Sequence, residues 1–86
     1  MSGQESLEAF RYRMLVRGYM NKSELQRFAD CGKKNAYKLF DMILKDATAE
    51  GVERLQGNLI LTRRVLSYVG LSEKAIIDAY NREQAR

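Results

Sequence analysis

The stretch from Lys33 to about Glu50 constrains the fold more than any other. Ala36, Leu39, Phe40, Ile43, Leu44 and Ala47 recur at spacings of three and four, so an α-helix gathers them on one apolar stripe. The opposite face carries Lys34, Lys38, Asp41 and Lys45. Such a helix must lay its stripe on other elements, and the chain has only 86 residues to supply them. That length suits one domain and is too short for two independent cores. The only cysteine is Cys31, so no intrachain disulfide can form. The core must rest on packing, which dimerisation or a partner could supplement. Cys31 itself reads as a small packed residue in a turn, and one unpaired thiol fits a reducing compartment.

The segments on either side supply the partners. Ser6 to Arg17 reads as a first helix, with Leu7, Phe10, Met14 and Leu15 on one side and Gly18 as its stop. Asn21 reads as a fresh N-cap, and Glu24 stands three residues later, where a capping box needs it. The short helix they start turns Leu25, Phe28 and Ala29 inward and breaks at Asp30-Cys31-Gly32. After Gly51 the period changes. Val52–Gln56 and Leu59–Leu61 flank Gly57-Asn58, which predicts two short strands joined by a tight turn. Thr62 is expected to cap a helix with Val65, Leu66 and Val69 facing in, ending near Gly70. Ser72 caps a last helix in which Ile76, Ile77 and Tyr80 pack, and the polar tail from Asn81 onward is expected to fray.

A two-stranded ribbon is not stable alone in water, so its apolar positions must lie on the helices. The predicted fold is therefore mainly α with a small β-hairpin: a winged helix-turn-helix with an added N-terminal helix. It is read as one domain over residues 1–86. An N-terminal helix extension takes 1–20, the helix-turn-helix 21–50, the wing hairpin 52–61 and the C-terminal helices 62–83.

The charge is uneven. The formal net charge is +4, yet residues 1–10 carry Glu5 and Glu8 and no base. From Arg11 to Lys45 stand nine bases (Arg11, Arg13, Arg17, Lys22, Arg27, Lys33, Lys34, Lys38 and Lys45) against Glu24, Asp30 and Asp41. From Asp46 onward acids and bases cancel. An excess gathered in one stretch can form a face that attracts phosphate. The chain contains no histidine, which removes the commonest general base and the commonest zinc ligand. No metal-ligand spacing, phosphate-cradling glycine loop or nucleophile–base pair can be assembled, so the expectation is a non-enzyme without cofactor or metal. No apolar run approaches the length of a membrane span, and Met1 to Ala9 is polar and acidic where a secretory signal is basic and then apolar. A cytoplasmic, nucleoid-associated protein is expected.

In a helix-turn-helix, the start of the second helix meets the major groove. Here that start is Lys33, Lys34, Asn35, Tyr37 and Lys38. Lysines there neutralise phosphates, Asn35 can pair with an adenine edge, and Tyr37 can lie over a sugar or donate to a phosphate. Arg54, Gln56 and Asn58 fall near the tip of the predicted wing, and Arg63 and Arg64 in the first turn of the next helix. Contacts of that kind set affinity and salt dependence without reading sequence.

The run Asn21-Lys22-Ser23-Glu24-Leu25-Gln26-Arg27-Phe28, followed by Lys34-Asn35-Ala36-Tyr37-Lys38-Leu39-Phe40, resembles the excisionase-like winged helix-turn-helix DNA-binding proteins of phages and mobile elements. Leu59-Ile60-Leu61-Thr62-Arg63-Arg64-Val65-Leu66-Ser67-Tyr68 looks like their second wing strand and closing helix. The likeness spans roughly residues 20 to 71, and departs from the pattern at Gln26, Asp30 and Gly32. It implies a protein that bends double-stranded DNA and helps a tyrosine recombinase choose excision, or a small transcriptional regulator, acting as a homodimer or a cooperative array on DNA. It would set Lys33, Lys34, Asn35, Tyr37 and Lys38 in the groove, Arg54, Gln56 and Asn58 on the wing, and Asn21 and Lys22 against phosphate. A competing expectation is a protein-interaction module on the same scaffold, because Tyr12, Val16 and Tyr19 look surplus to a small core.

Overall fold

The computed structural model describes residues 5–50 and 59–85. Five helices and a two-stranded antiparallel sheet make up these residues: α1 (Leu7–Arg17), β1 (Tyr19–Met20), α2 (Lys22–Ala29), α3 (Lys33–Ala49), β2 (Ile60–Leu61), α4 (Thr62–Val69) and α5 (Glu73–Gln84). None of the helices is long and apolar enough to cross a membrane.

Local chemistry sets most of the boundaries. The Ser6 side chain accepts the Ala9 N–H at the start of α1, and Gly18, at φ 90°, ends it by donating its N–H to the Met14 carbonyl. The capping box of α2 is complete: Asn21 Oδ1 accepts the Glu24 N–H at 2.8 Å, and Glu24 Oε1 accepts the Asn21 N–H at 3.0 Å. Asp30 then turns the chain at φ 55°, a left-handed geometry that Asp tolerates better than most residues. Gly32 begins α3 without a side-chain cap. Ser72 caps α5 by accepting the Ala75 N–H, and that helix stays regular to Gln84, past the point where fraying was expected.

The helices pair as α1 with α5 and α2 with α3, while α4 and the strand pair touch both α1 and α3. One cluster joins these pieces. Phe10 and Met14 of α1, Met20, Leu25 and Phe28, Phe40 and Ile43 of α3, and Ile60, Val65, Leu66 and Ile76 are all buried within it. The stripe on α3 is narrower than its spacing suggests. Ala36, Phe40 and Ile43 are buried, but Leu39 and Leu44 are only half-buried at its edges. Removing a ring such as Phe28 or Phe40 from a site this enclosed costs about 3–5 kcal/mol.

One strand pairing goes beyond what the sequence predicts, and one predicted cap needs correction. Ile60–Leu61 pairs with Tyr19–Met20, in the register Tyr19 with Leu61 and Met20 with Ile60. The expected pairing of Leu59–Leu61 with Val52–Gln56 falls on residues outside those described, as do Gly57 and Asn58. The reason is burial: Met20 and Ile60 both face the core, so the segment between α1 and α2 gains by running beside β2. Thr62 does not cap α4. It is the first residue inside the helix, after Leu61, and it is buried. Its hydroxyl donates to the Met14 carbonyl at 2.9 Å and its N–H to the Gly18 carbonyl at 3.0 Å. A buried hydroxyl must be hydrogen-bonded, and this one fastens the start of α4 to the end of α1.

Candidate nucleic-acid interface

The three-residue turn between α2 and α3 presents the first turn of α3 outward. Lys33, Lys34, Asn35 and Lys38 are exposed, and Lys45 follows on the same helix. No acidic residue stands in the first turn of α3 and no side chain caps it, so its unpaired N–H groups keep their partial positive charge. Lys34 and Lys38 lie one helical turn apart and project together.

Tyr37 is half-buried, and two ammonium groups lie over its ring. Lys22 Nζ is 5.1 Å and Lys33 Nζ 5.5 Å from its centroid, and Lys22 is also 5.7 Å from the centroid of Phe40. Contacts of this kind are worth about 0.5–1 kcal/mol each at exposed sites. They bring Lys22, from the start of α2, beside Lys33 at the start of α3. No sequence periodicity marks this trio, because Lys22 and Tyr37 sit on different helices. Asn21 is committed to the capping box through its side-chain oxygen, so that atom holds α2 rather than a ligand.

The arginines behave differently. Arg11 Nε donates to the Phe28 carbonyl at 2.9 Å. Arg13 grips both carboxylate oxygens of Glu5 at 2.9 Å. Arg27 reaches the Glu5 backbone carbonyl and lies over the Phe10 ring. Arg17 pairs with Glu24, donates to the Tyr19 carbonyl at 3.1 Å and covers the Tyr19 ring. Burial opposes ionisation of Glu24, but Arg17 and the Asn21 N–H outweigh it and hold its carboxyl below the ordinary range. Hydrogen bonds from Arg13 do the same for Glu5.

Arg64 is likewise tied. It bonds both carboxylate oxygens of Glu50, at 2.6 and 3.4 Å, and lowers the pKa of that carboxyl. Beside it the Tyr68 hydroxyl donates to Asp46, which pushes the phenol upward. Together these contacts fasten the end of α3 to α4. Arg63 is exposed and makes no ion pair among the described residues. Arg54, Gln56 and Asn58 lie outside the described residues.

A second surface lies along α1 and α5. Tyr12 stacks flat on Tyr80, with centroids 4.1 Å apart and rings 3° from parallel. Beside them Val16 is 69% exposed, and Tyr19, on β1, is 40% exposed. Tyr12 is therefore used within the fold, whereas Val16 and Tyr19 remain on the outside. Among the described residues no group of three His, Cys, Asp or Glu side chains converges as a metal site would require. Comparison of the chain with models of protein families, with curated proteins and with solved structures finds no match.

Proposed function

We propose that this chain is a non-enzymatic, double-stranded DNA-binding protein that reads the duplex with α3. One observation carries the reading: the exposed lysines at the start of α3 have no carboxylate partner among the described residues, while the arginines of α1 and α2 are satisfied internally. An uncompensated cationic helix start, presented by a short turn from a supporting helix, suits the major groove. Lys34 and Lys38 meet backbone phosphates and Asn35 reaches a base edge. The residues resembling excisionase-like proteins extend this to a winged helix-turn-helix with Arg54, Gln56 and Asn58 on the wing. The biological outcome is then assistance to a tyrosine recombinase or repression of a promoter, by a homodimer or cooperative array in the nucleoid.

The test is a fluorescence-anisotropy titration with random-sequence duplex at low and moderate salt. Binding should weaken steeply with salt, and Lys34→Ala with Lys38→Ala should lower the log–log slope by about two. Binding indifferent to salt and to this pair would sink the proposal.

The exposed Val16 and Tyr19 favour a second reading, a protein-interaction module. Capture of a partner protein that is indifferent to nuclease and to charge reversal on α3 supports that reading over the first.

A further inference from the structure

We propose that Lys22, Lys33 and Tyr37 form a clamp for one strand of the DNA backbone, in which the Tyr37 ring positions both ammonium groups and makes no contact of its own. The proposal rests on the DNA-binding reading and gives Tyr37 a role different from the sugar or phosphate contact expected of it.

The two lysines open two different helices, and each ammonium lies over the same ring, 5.1 Å away for Lys22 and 5.5 Å for Lys33. Their nitrogens are thus no further apart than the sum of those distances. Phe40, buried beneath, gives Lys22 a second aromatic face at 5.7 Å. A carboxylate in this position would neutralise the charge. An aromatic face only attracts it, so both ammonium groups keep their full charge and the N–H groups turned away from the ring can donate to phosphate oxygens. Neither lysine makes an ion pair among the described residues.

Lysine stems otherwise lose considerable rotamer freedom when a ligand fixes them. The ring orders both stems before DNA arrives, which removes part of that penalty from binding. Lys34 and Lys38 are exposed and rest on no aromatic ring among the described residues. The clamp therefore adds affinity and fixes the position of α2 on the backbone, independently of the groove-facing lysines.

Two substitutions at one position separate the roles of the ring. Tyr37→Phe keeps the aromatic face and removes the hydroxyl, whereas Tyr37→Leu removes the face and leaves every charge in place. With random-sequence duplex, Tyr37→Phe should bind as the native protein does. Tyr37→Leu should bind roughly five-fold more weakly with a nearly unchanged salt slope, and Lys22→Met and Lys33→Met should each lower the slope by about one. In the DNA-free protein, NMR should show upfield ring-current shifts of the Lys22 and Lys33 ε-methylene protons that Tyr37→Leu abolishes. Circular dichroism checks that this variant folds; should it unfold, the two lysine variants, Tyr37→Phe and the ring-current shifts decide. Equal losses in Tyr37→Phe and Tyr37→Leu would overturn the clamp in favour of a direct hydroxyl contact. Native affinity in folded Tyr37→Leu, or unshifted lysine signals, would overturn it while leaving the Lys34/Lys38 result to uphold DNA binding. A native protein that ignores the duplex overturns both.

Discussion

Between Arg11 and Lys45 the chain carries four arginines and five lysines, and the fold treats the two types in opposite ways. Arg11, Arg13, Arg17 and Arg27 each bond a carbonyl or carboxylate of α1, α2 or the residues beside them. Lys22, Lys33, Lys34, Lys38 and Lys45 make no hydrogen bond or ion pair among the described residues, and two of them rest on an aromatic ring. The side-chain chemistry accounts for the division. A guanidinium is planar, weakly hydrated and shaped to hold two acceptors, so it serves where a charge must lie against the protein. An ammonium is compact and strongly hydrated, and stays in water until a phosphate replaces that water. The basic stretch is thus two regions: one holds the helices together and the other faces outward.

The largest expected effect tests the outward region. Replacing Lys33, Lys34 and Lys38 together by alanine should reduce duplex affinity by roughly two orders of magnitude near 0.1 M salt. The melting temperature should fall by no more than a few degrees, the part due to the Lys33–Tyr37 contact, because Lys34 and Lys38 have no partner among the described residues and contribute little to stability. Should calorimetry show a large loss of stability instead, the division between the regions would be wrong.

Arg17 tests the other region with a smaller effect. Arg17→Met keeps much of the stem and removes the bonds to Glu24 and the Tyr19 carbonyl. The pair is only partly exposed, and its loss should destabilise the protein by about 1–2 kcal/mol. For a domain of this size each kcal/mol lowers the melting temperature by about 4–8 °C. At a temperature where the variant is folded, its duplex affinity should match that of the native protein. A fall in affinity as large as that of the lysine variant would show that Arg17 also meets DNA.

How far this division could be read in advance depends on sequence separation. The caps at Asn21 and Ser72 and the stops at Gly18 and Gly70 were legible, because each is satisfied within a few residues of itself. The pairing of Tyr19–Met20 with Ile60–Leu61 was not, nor was the bond from Thr62 to Met14. In those cases two segments about 40 residues or more apart in sequence satisfy one another, and neither carries a periodic signal of its own. Tyr12 is similar: an apparent surplus on α1 becomes a packed ring once α5 supplies Tyr80. Within the candidate site, exposure of Lys34 and Lys38 followed from their place opposite the apolar stripe. The commitments of the arginines did not, since a count of charges ignores their carbonyl and carboxylate partners.

Acid should weaken the arginine-held region first. Glu5 and Glu24 have carboxyl pKa values below the ordinary 4.5 in the folded chain. Between that value and the folded value the unfolded chain binds more protons, so stability rises with pH there. The contribution is complete above the unfolded pKa and is lost as the pH falls through the folded one. Glu24→Gln keeps an acceptor for the Asn21 N–H but removes this titration. The melting temperature of the variant should be lower at neutral pH and should fall less between pH 5 and pH 3. Parallel acid limbs for the two proteins would mean that Glu24 is not held ionised by Arg17.

The smallest effect comes from moving one arginine from the first class to the second. Glu50 holds Arg64 through both carboxylate oxygens, at the end of the helix whose start carries the lysines. Glu50→Gln removes the negative charge and releases the guanidinium, while the Tyr68–Asp46 bond continues to tie α3 to α4. Because Glu50 is exposed, thermal stability should scarcely change. If a freed arginine beside α3 can reach phosphate, affinity for duplex DNA should rise a few-fold and the salt slope should steepen by about one. An unchanged slope would place Arg64 beyond the reach of the backbone and confine the DNA-facing surface to the lysines of α2 and α3. Either result draws the border between the two regions at a single ion pair.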